Sequence, residues 1–198
     1  KTIKQIEDVS KEKRFFHWEI EFPEVFYEGA SEFGQKIDKK VNPGFDCVIG
    51  IPPWVSLIGR FRKSNENDKE EIDYLNRAYG SNTYMPNYYE NFVLLSTLLL
   101  KDGGNTSFII PDRLATNKYY SNTRKAILDK CVIHILNYSV KFPDVIADCL
   151  IYVFTRKKPK IYNYDIEVVS NFDFQRLASI IIILKDLGFI HYFLCFKI

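Results

Sequence analysis

The chain has 198 residues, 46% hydrophobic and 26% charged, which excludes a disordered or collagen-like polymer and fits one core-forming domain, or one domain and the start of another. Lysine plus arginine number 27 against 25 acids, so a net charge of +2 announces no nucleic-acid binder, although local patches remain open. Aromatic side chains make up 16%, and they serve a core first and stacking surfaces second.

Cys47, Cys131, Cys149 and Cys195 are scattered with no C-x-x-C pair, and His17, His134 and His191 lack ligand spacing, so no metal site is expected. Cys47, Cys131 and Cys149 sit in apolar runs, where cysteine behaves as a small hydrophobe, so reduced, buried thiols of an intracellular protein are expected. The polar opening KTIKQIEDVSKEKR carries no apolar signal region and begins with Lys1, the only methionine being Met85. The chain is therefore expected to be a piece of something longer.

In chain order, residues 1–14 are polar and suit the end of a helix. RFFHWEIEFPEVF (14–26) is aromatic-rich and extended in character, with Pro23 as a break. Residues 27–43 suggest a loop or insertion. Phe45–Ile49, ended by Gly50, fits a buried parallel strand. Residues 58–86 are polar, with a short helix at 67–78, and NYYENFVLLSTLLLK (87–101) is a helix for which Asp102-Gly103-Gly104 provides the stop. Strands are expected at 106–110, 132–139, 149–156 and 166–169, with an amphipathic helix at 119–130. Alternating strands and helices mean an α/β fold. The tail LASIIIILKDLGFIHYFLCFKI (177–198) is broken by Lys185 and Asp186, so neither half reaches the roughly 18 residues of a membrane helix. It is expected to be core, or the product of a truncation or changed reading frame.

The chemistry gathers after Gly50, because ligands of open α/β sheets bind beyond the carboxyl ends of the strands. In Ile51-Pro52-Pro53-Trp54 the prolines fix φ and leave carbonyls free to accept from a ligand amino group. Trp54 offers a flat face on which a base can stack, or an anchor to the core.

FHWEIEFPEVF, GFDCVIGIPPW, NYYENFVLL, LLKDGGNTSFIIPDRL and KFPDVIADCLIYVF, in that order, resemble the DNA methyltransferases that modify adenine N6, in particular the large restriction–modification type. The resemblance covers roughly residues 14–157. It implies the carboxyl half of a doubly wound methyltransferase sheet ending in an antiparallel hairpin, with the cofactor-binding first half missing. Residues 1–158 would be that half-domain, and 159–198 the start of a target-recognition region or a truncated tail. The implied reaction is methyl transfer from S-adenosylmethionine to an adenine flipped out of the duplex. The implied roles are Pro52 as carbonyl acceptor of the amino group, beside Pro53, with Trp54 stacking on one face of the base and Phe142 on the other. FHWEIEF would be the strand whose end touches the cofactor's adenine, bringing Phe16 and His17 near it.

Two departures stand out. The family's Asn-Pro-Pro motif carries Ile51 in place of asparagine, which removes an acceptor; Asn87 stands where many members carry Asp. No G-x-G occurs in the 198 residues, so the usual cofactor loop is absent from this sequence. Arg60-x-Arg62-Lys63 and Arg156-Lys157-Lys158-x-Lys160 could touch phosphates or simply be solvated. The expectation is a cytoplasmic, microbial methyltransferase fragment, inactive alone. Its partners would be double-stranded DNA and either an upstream half supplying the cofactor site or a restriction nuclease, with no membrane. The competing reading is a non-catalytic remnant acting as a DNA-binding or assembly module.

Overall fold

The structure, a computed structural model, describes residues 3–13, 16–29, 37–57, 66–81, 86–139, 141–142, 147–157, 166–169 and 196–197. They fall into two units, Lys1–Gly44 and Phe45–Ile198.

The first unit holds α1 (Ile3–Lys13), α2 (Trp18–Glu21), α3 (Pro23–Phe26) and an antiparallel pair, β1 (Tyr27–Glu28) with β2 (Asp38–Lys39). This corrects the extended reading of 14–26. The amides of Ile20 and Glu21 both donate to the His17 carbonyl at 2.9 Å, and Pro23 opens α3 at a first-turn position, where its missing N–H costs nothing. The Glu19 carboxylate accepts from the Tyr27 hydroxyl and from Lys39 Nζ at 3.1 Å, tying α2 to the strand pair.

The second unit runs β3 (Phe45–Gly50), α4 (Glu66–Tyr79), α5 (Tyr88–Leu99), β4 (Leu100–Pro111), α6 (Arg113–Thr116), a 3-10 turn (Lys118–Tyr120), α7 (Ser121–Leu128), β5 (Cys131–Asn137), β6 (Cys149–Arg156), β7 (Glu167–Val169) and β8 (Phe196–Lys197). Among the described residues one mixed sheet has the order β3-β4-β6-β5-β7-β8, and only β6 runs against its neighbours. The fold is thus α/β, and the four main expected strands share one sheet with the antiparallel strand where the sequence placed it. The helix expected over 119–130 divides into the 3-10 turn and α7.

Asp102-Gly103-Gly104 is not a helix stop. Leu100 caps α5 and is already the first residue of β4, so no loop intervenes. The register jumps from Phe45↔Leu100 to Cys47↔Asn105, which makes the glycine pair a bulge in β4. Gly103 sits at φ +85°, and a Cβ on Gly104 would stand 2.7 Å from the Phe45 carbonyl oxygen. Only glycine lets the two strands approach there.

Phe108 and Ile110 of β4 and Leu150, Tyr152 and Phe154 of β6 face inward against Val93 and Leu94 of α5 and Ile127 and Leu128 of α7. The Tyr152 ring stacks on Phe154 at 4.1 Å. Two polar pairs lie inside this layer: Thr123 donates to the buried Glu90 carboxylate, and the Tyr89 and Tyr120 hydroxyls meet at 2.8 Å. Cys131 and Cys149 are buried as expected, and desolvation pushes the Cys131 thiol up to about 11. β3 is parallel as expected but not buried, and Cys47 is exposed. The reason is position: among the described residues β3 lies at the sheet edge and pairs with β4 alone. Among the described residues, no helix is long and apolar enough to cross a membrane.

Candidate functional site

Sheet register brings the loops of interest to one edge. Gly50 lies opposite Phe108, Pro111 opposite Cys149, and Asn137 opposite Ile151. The loop after β3, the chain after β4 and the β5–β6 connection therefore all leave from the carboxyl end of the parallel strands.

The loop after β3 is stiff by composition and tied at its far end. Pro52 is buried, whereas Ile51 (67% exposed) and Pro53 face solvent. Among the described residues the Pro52 carbonyl accepts no hydrogen bond. The Trp54 indole N–H donates to the Ile109 carbonyl at 3.2 Å, and its ring packs partly buried against the core. Beyond it, Tyr88 N–H donates to Val55 O at 3.1 Å and Leu57 N–H to Pro86 O at 2.9 Å, while Ser56 bridges to Asn87. These bonds fasten the loop to the start of α5. Asn87 caps α5 without a side-chain bond, and Asn91 Nδ2 donates to its carbonyl at 3.1 Å.

Phe142 lies exposed in the β5–β6 connection. The strands that carry it and Trp54 stand two to three spacings apart across the sheet, about 10–14 Å. Among the described residues the two rings make no contact with each other. The carboxyl edge thus brings Ile51, Pro52, Pro53 and Trp54 into one loop and Phe142 into another at the same end of the sheet.

Phe16 and His17 belong to the first unit. The strand expected to carry them is instead the approach to α2, and the Phe16 ring packs on Trp18 and Phe22 at centroid distances of 4.8 and 6.3 Å. The sequence has no Gly-x-Gly turn and no strand ends at Phe16, so neither feature expected to contact S-adenosylmethionine is found among the described residues. Of the basic clusters, Arg60, Arg62 and Lys63 lie outside the described residues, as do Lys158 and Lys160. Arg156 is occupied: its guanidinium donates to the Leu98 and Leu100 carbonyls and pairs with Asp102 at 3.4 Å. It braces the α5–β4 junction. Sequence reasoning missed the bond that anchors Trp54, because its acceptor lies 55 residues away in a backbone carbonyl.

A Methanocaldococcus jannaschii protein named as a type II restriction enzyme and methyltransferase is 29% identical over 164 residues, covering 81% of this chain and 11% of the relative. The type II methyltransferase M.HincII of Haemophilus influenzae is 29% identical over 133 residues, 65% of this chain and 25% of the relative. The chain thus spans a quarter or less of the length of these relatives. Among solved structures, the M protein of the type I restriction enzyme EcoKI aligns at TM-score 0.40 and 16% identity, over 58% of this chain and 21% of its own. The family model described as Eco57I restriction-modification methylase matches residues 1–142, and the chain belongs to that family.

Proposed function

We propose that this chain carries the target-base edge of a restriction–modification DNA methyltransferase acting on adenine N6. The observation that carries the reading is a proline carbonyl that accepts no hydrogen bond among the described residues, held beside an anchored tryptophan at the carboxyl edge of the sheet. An adenine extruded from the duplex presents two N6 hydrogens and two ring faces. Pro52 accepts one hydrogen through its carbonyl, Trp54 stacks on one face, and Phe142 stacks on the other. An accepting carbonyl directed at N6 also steadies positive charge developing on that nitrogen.

The second acceptor is missing, because Ile51 offers no polar atom. A lost contact of this kind costs on the order of a hundred- to a thousandfold in rate. S-adenosylmethionine, the donor expected of the family, would have to be held by sequence other than that of this chain, fused to it or supplied by a partner. Ile51 also favours a second reading, a non-catalytic module that binds DNA or assembles beside an intact enzyme.

The test fuses the chain to the cofactor-binding half of a related enzyme and follows methyl incorporation into duplex DNA. Ile51→Asn raises N6-methyladenine formation at least about a hundredfold over the fusion carrying isoleucine. Equal activity in both fusions, well above background, would show that Pro52 suffices and that position 51 is misread. DNA binding without methylation in either favours the non-catalytic module.

A further inference from the structure

The 3-10 turn and α7 present one solvent face, formed by Lys118, Tyr119, Asn122 and Lys125. The spacing 118, 122, 125 keeps the three polar residues in line, and Tyr120, Thr123, Arg124 and Ile127 take the buried side. No acid occurs between Asp112 and Asp129, and Arg113 is exposed at the start of α6.

Three other cations of the molecule are paired. Lys39 pairs with Glu19 at 3.1 Å, Arg156 with Asp102 at 3.4 Å, and Lys101 with Asp46. Arg113, Lys118 and Lys125 form no ion pair among the described residues. Lys118 Nζ stands 5.4 Å over the Tyr119 ring. The backbone beneath is fixed: Tyr119 N–H donates to Asn117 Oδ1 at 2.9 Å, and the buried Arg124 guanidinium donates to the Leu114 and Asn117 carbonyls, both at 2.7 Å. This platform starts directly after the carboxyl end of β4, the edge that also carries Pro52 and Trp54. Two carboxylates, Asp112 (buried) and Asp148 (exposed), lie at the root of that edge, where the Asp112 amide donates to the Asp148 carbonyl at 3.0 Å.

We infer that this face grips the phosphate backbone of duplex DNA beside the extruded base, an inference that rests on the DNA reading above. Arg113, Lys118 and Lys125 take phosphate oxygens, and Asn122 and Tyr119 add hydrogen bonds. From Lys118 to Lys125 the face is about 10 Å long. Contacts of this kind position the duplex and carry no sequence information.

Fluorescence anisotropy of the full chain with a labelled random-sequence duplex, over a potassium chloride series, tests the assignment. Each phosphate contact contributes about 0.9 to the slope of log K against log salt, so R113Q/K118Q/K125Q lowers that slope by about 2.7. K4Q/K11Q/K69Q, which removes the same charge from exposed positions elsewhere, leaves it near the parent value, and R113K/K118R/K125R retains it. Equal slopes for the parent and R113Q/K118Q/K125Q would overturn this surface while leaving the DNA reading intact, and so would equal losses in the two glutamine triples. No binding by the parent chain at low salt would overturn the DNA reading together with the surface.

Discussion

β3 and β6 are written in the same idiom, short apolar runs ended by a breaking or charged residue, yet they meet opposite environments. β6 has neighbours on both sides, and Leu150, Tyr152 and Phe154 are sealed beneath α5 and α7. Among the described residues β3 has a neighbour on one side only, and Ile49 is 73% exposed. An apolar run therefore specifies a strand, whereas burial depends on how many elements stand beside it. The candidate loop grows from the less sheltered of the two strands, and it is held by bonds to β4 and α5 rather than by packing of its own strand.

The largest expected effect lies in the sheltered strand. Phe154→Ala removes a stacked, buried ring and costs about 3–5 kcal/mol in urea unfolding, while Ile49→Ala stays within about 0.5 kcal/mol. Comparable losses in the two variants would abolish the contrast. A second pair probes the edge strand's pairing with β4. Gly104→Ala forces a Cβ toward the Phe45 carbonyl oxygen, a backbone atom with little room to move, and costs about 1–3 kcal/mol. Gly50→Ala meets the Phe108 ring at an ordinary 3.6 Å and is nearly neutral. A costly Gly50→Ala would mean that β3 is packed more tightly than its exposure indicates.

Thiol chemistry sharpens the comparison with the smallest effect. In a Cys195→Ser background, native-state labelling should reach Cys47 first and leave Cys131 protected until the chain unfolds. Burial raises the Cys131 thiol to about 11 from an ordinary 9.0, so the folded chain keeps a proton that the unfolded chain releases. That contribution is whole below pH 9 and disappears as pH climbs through about 11, and Cys131→Val flattens this part of the stability profile. An unchanged profile would show that Cys131 is not desolvated.

Much of the fold was legible because the strands are bounded by strong punctuation. Gly50 and Arg156 end their strands where the sequence places the ends, and the helix expected at 87–101 differs from α5 by only a residue or two at each end. The misreadings share a physical cause. Residues 16–26 are rich in aromatic side chains that suit a strand, but a single carbonyl, that of His17, collects two amides and turns the chain. Asp102-Gly103-Gly104 has the composition of a helix stop, yet it lies past Leu100, which both caps α5 and enters the sheet. At the candidate site, the Pro-Pro-Trp turn was legible as a motif, but the tryptophan's anchor was not, because a backbone acceptor leaves no signature in side-chain identity. The cationic face of α7 was also passed over. Sixteen acid-free positions between Asp112 and Asp129, with lysines seven apart, could have drawn attention to it.

The crossover between β3 and β4 sets the entropy of assembling the site. Bringing Trp54 to Ile109 closes a loop of 55 residues, whereas β5 and β6 meet across a short connection between Asn137 and Cys149. Each doubling of an enclosed loop adds about 0.6 kcal/mol of closure cost, so the β3 side forms against the greater loss of freedom. Proline rings at 52 and 53 restrict the unfolded chain at the point where that closure must take hold. Whatever they later do for a ligand, they have already reduced the disorder that folding must remove from the longest closure in the sheet.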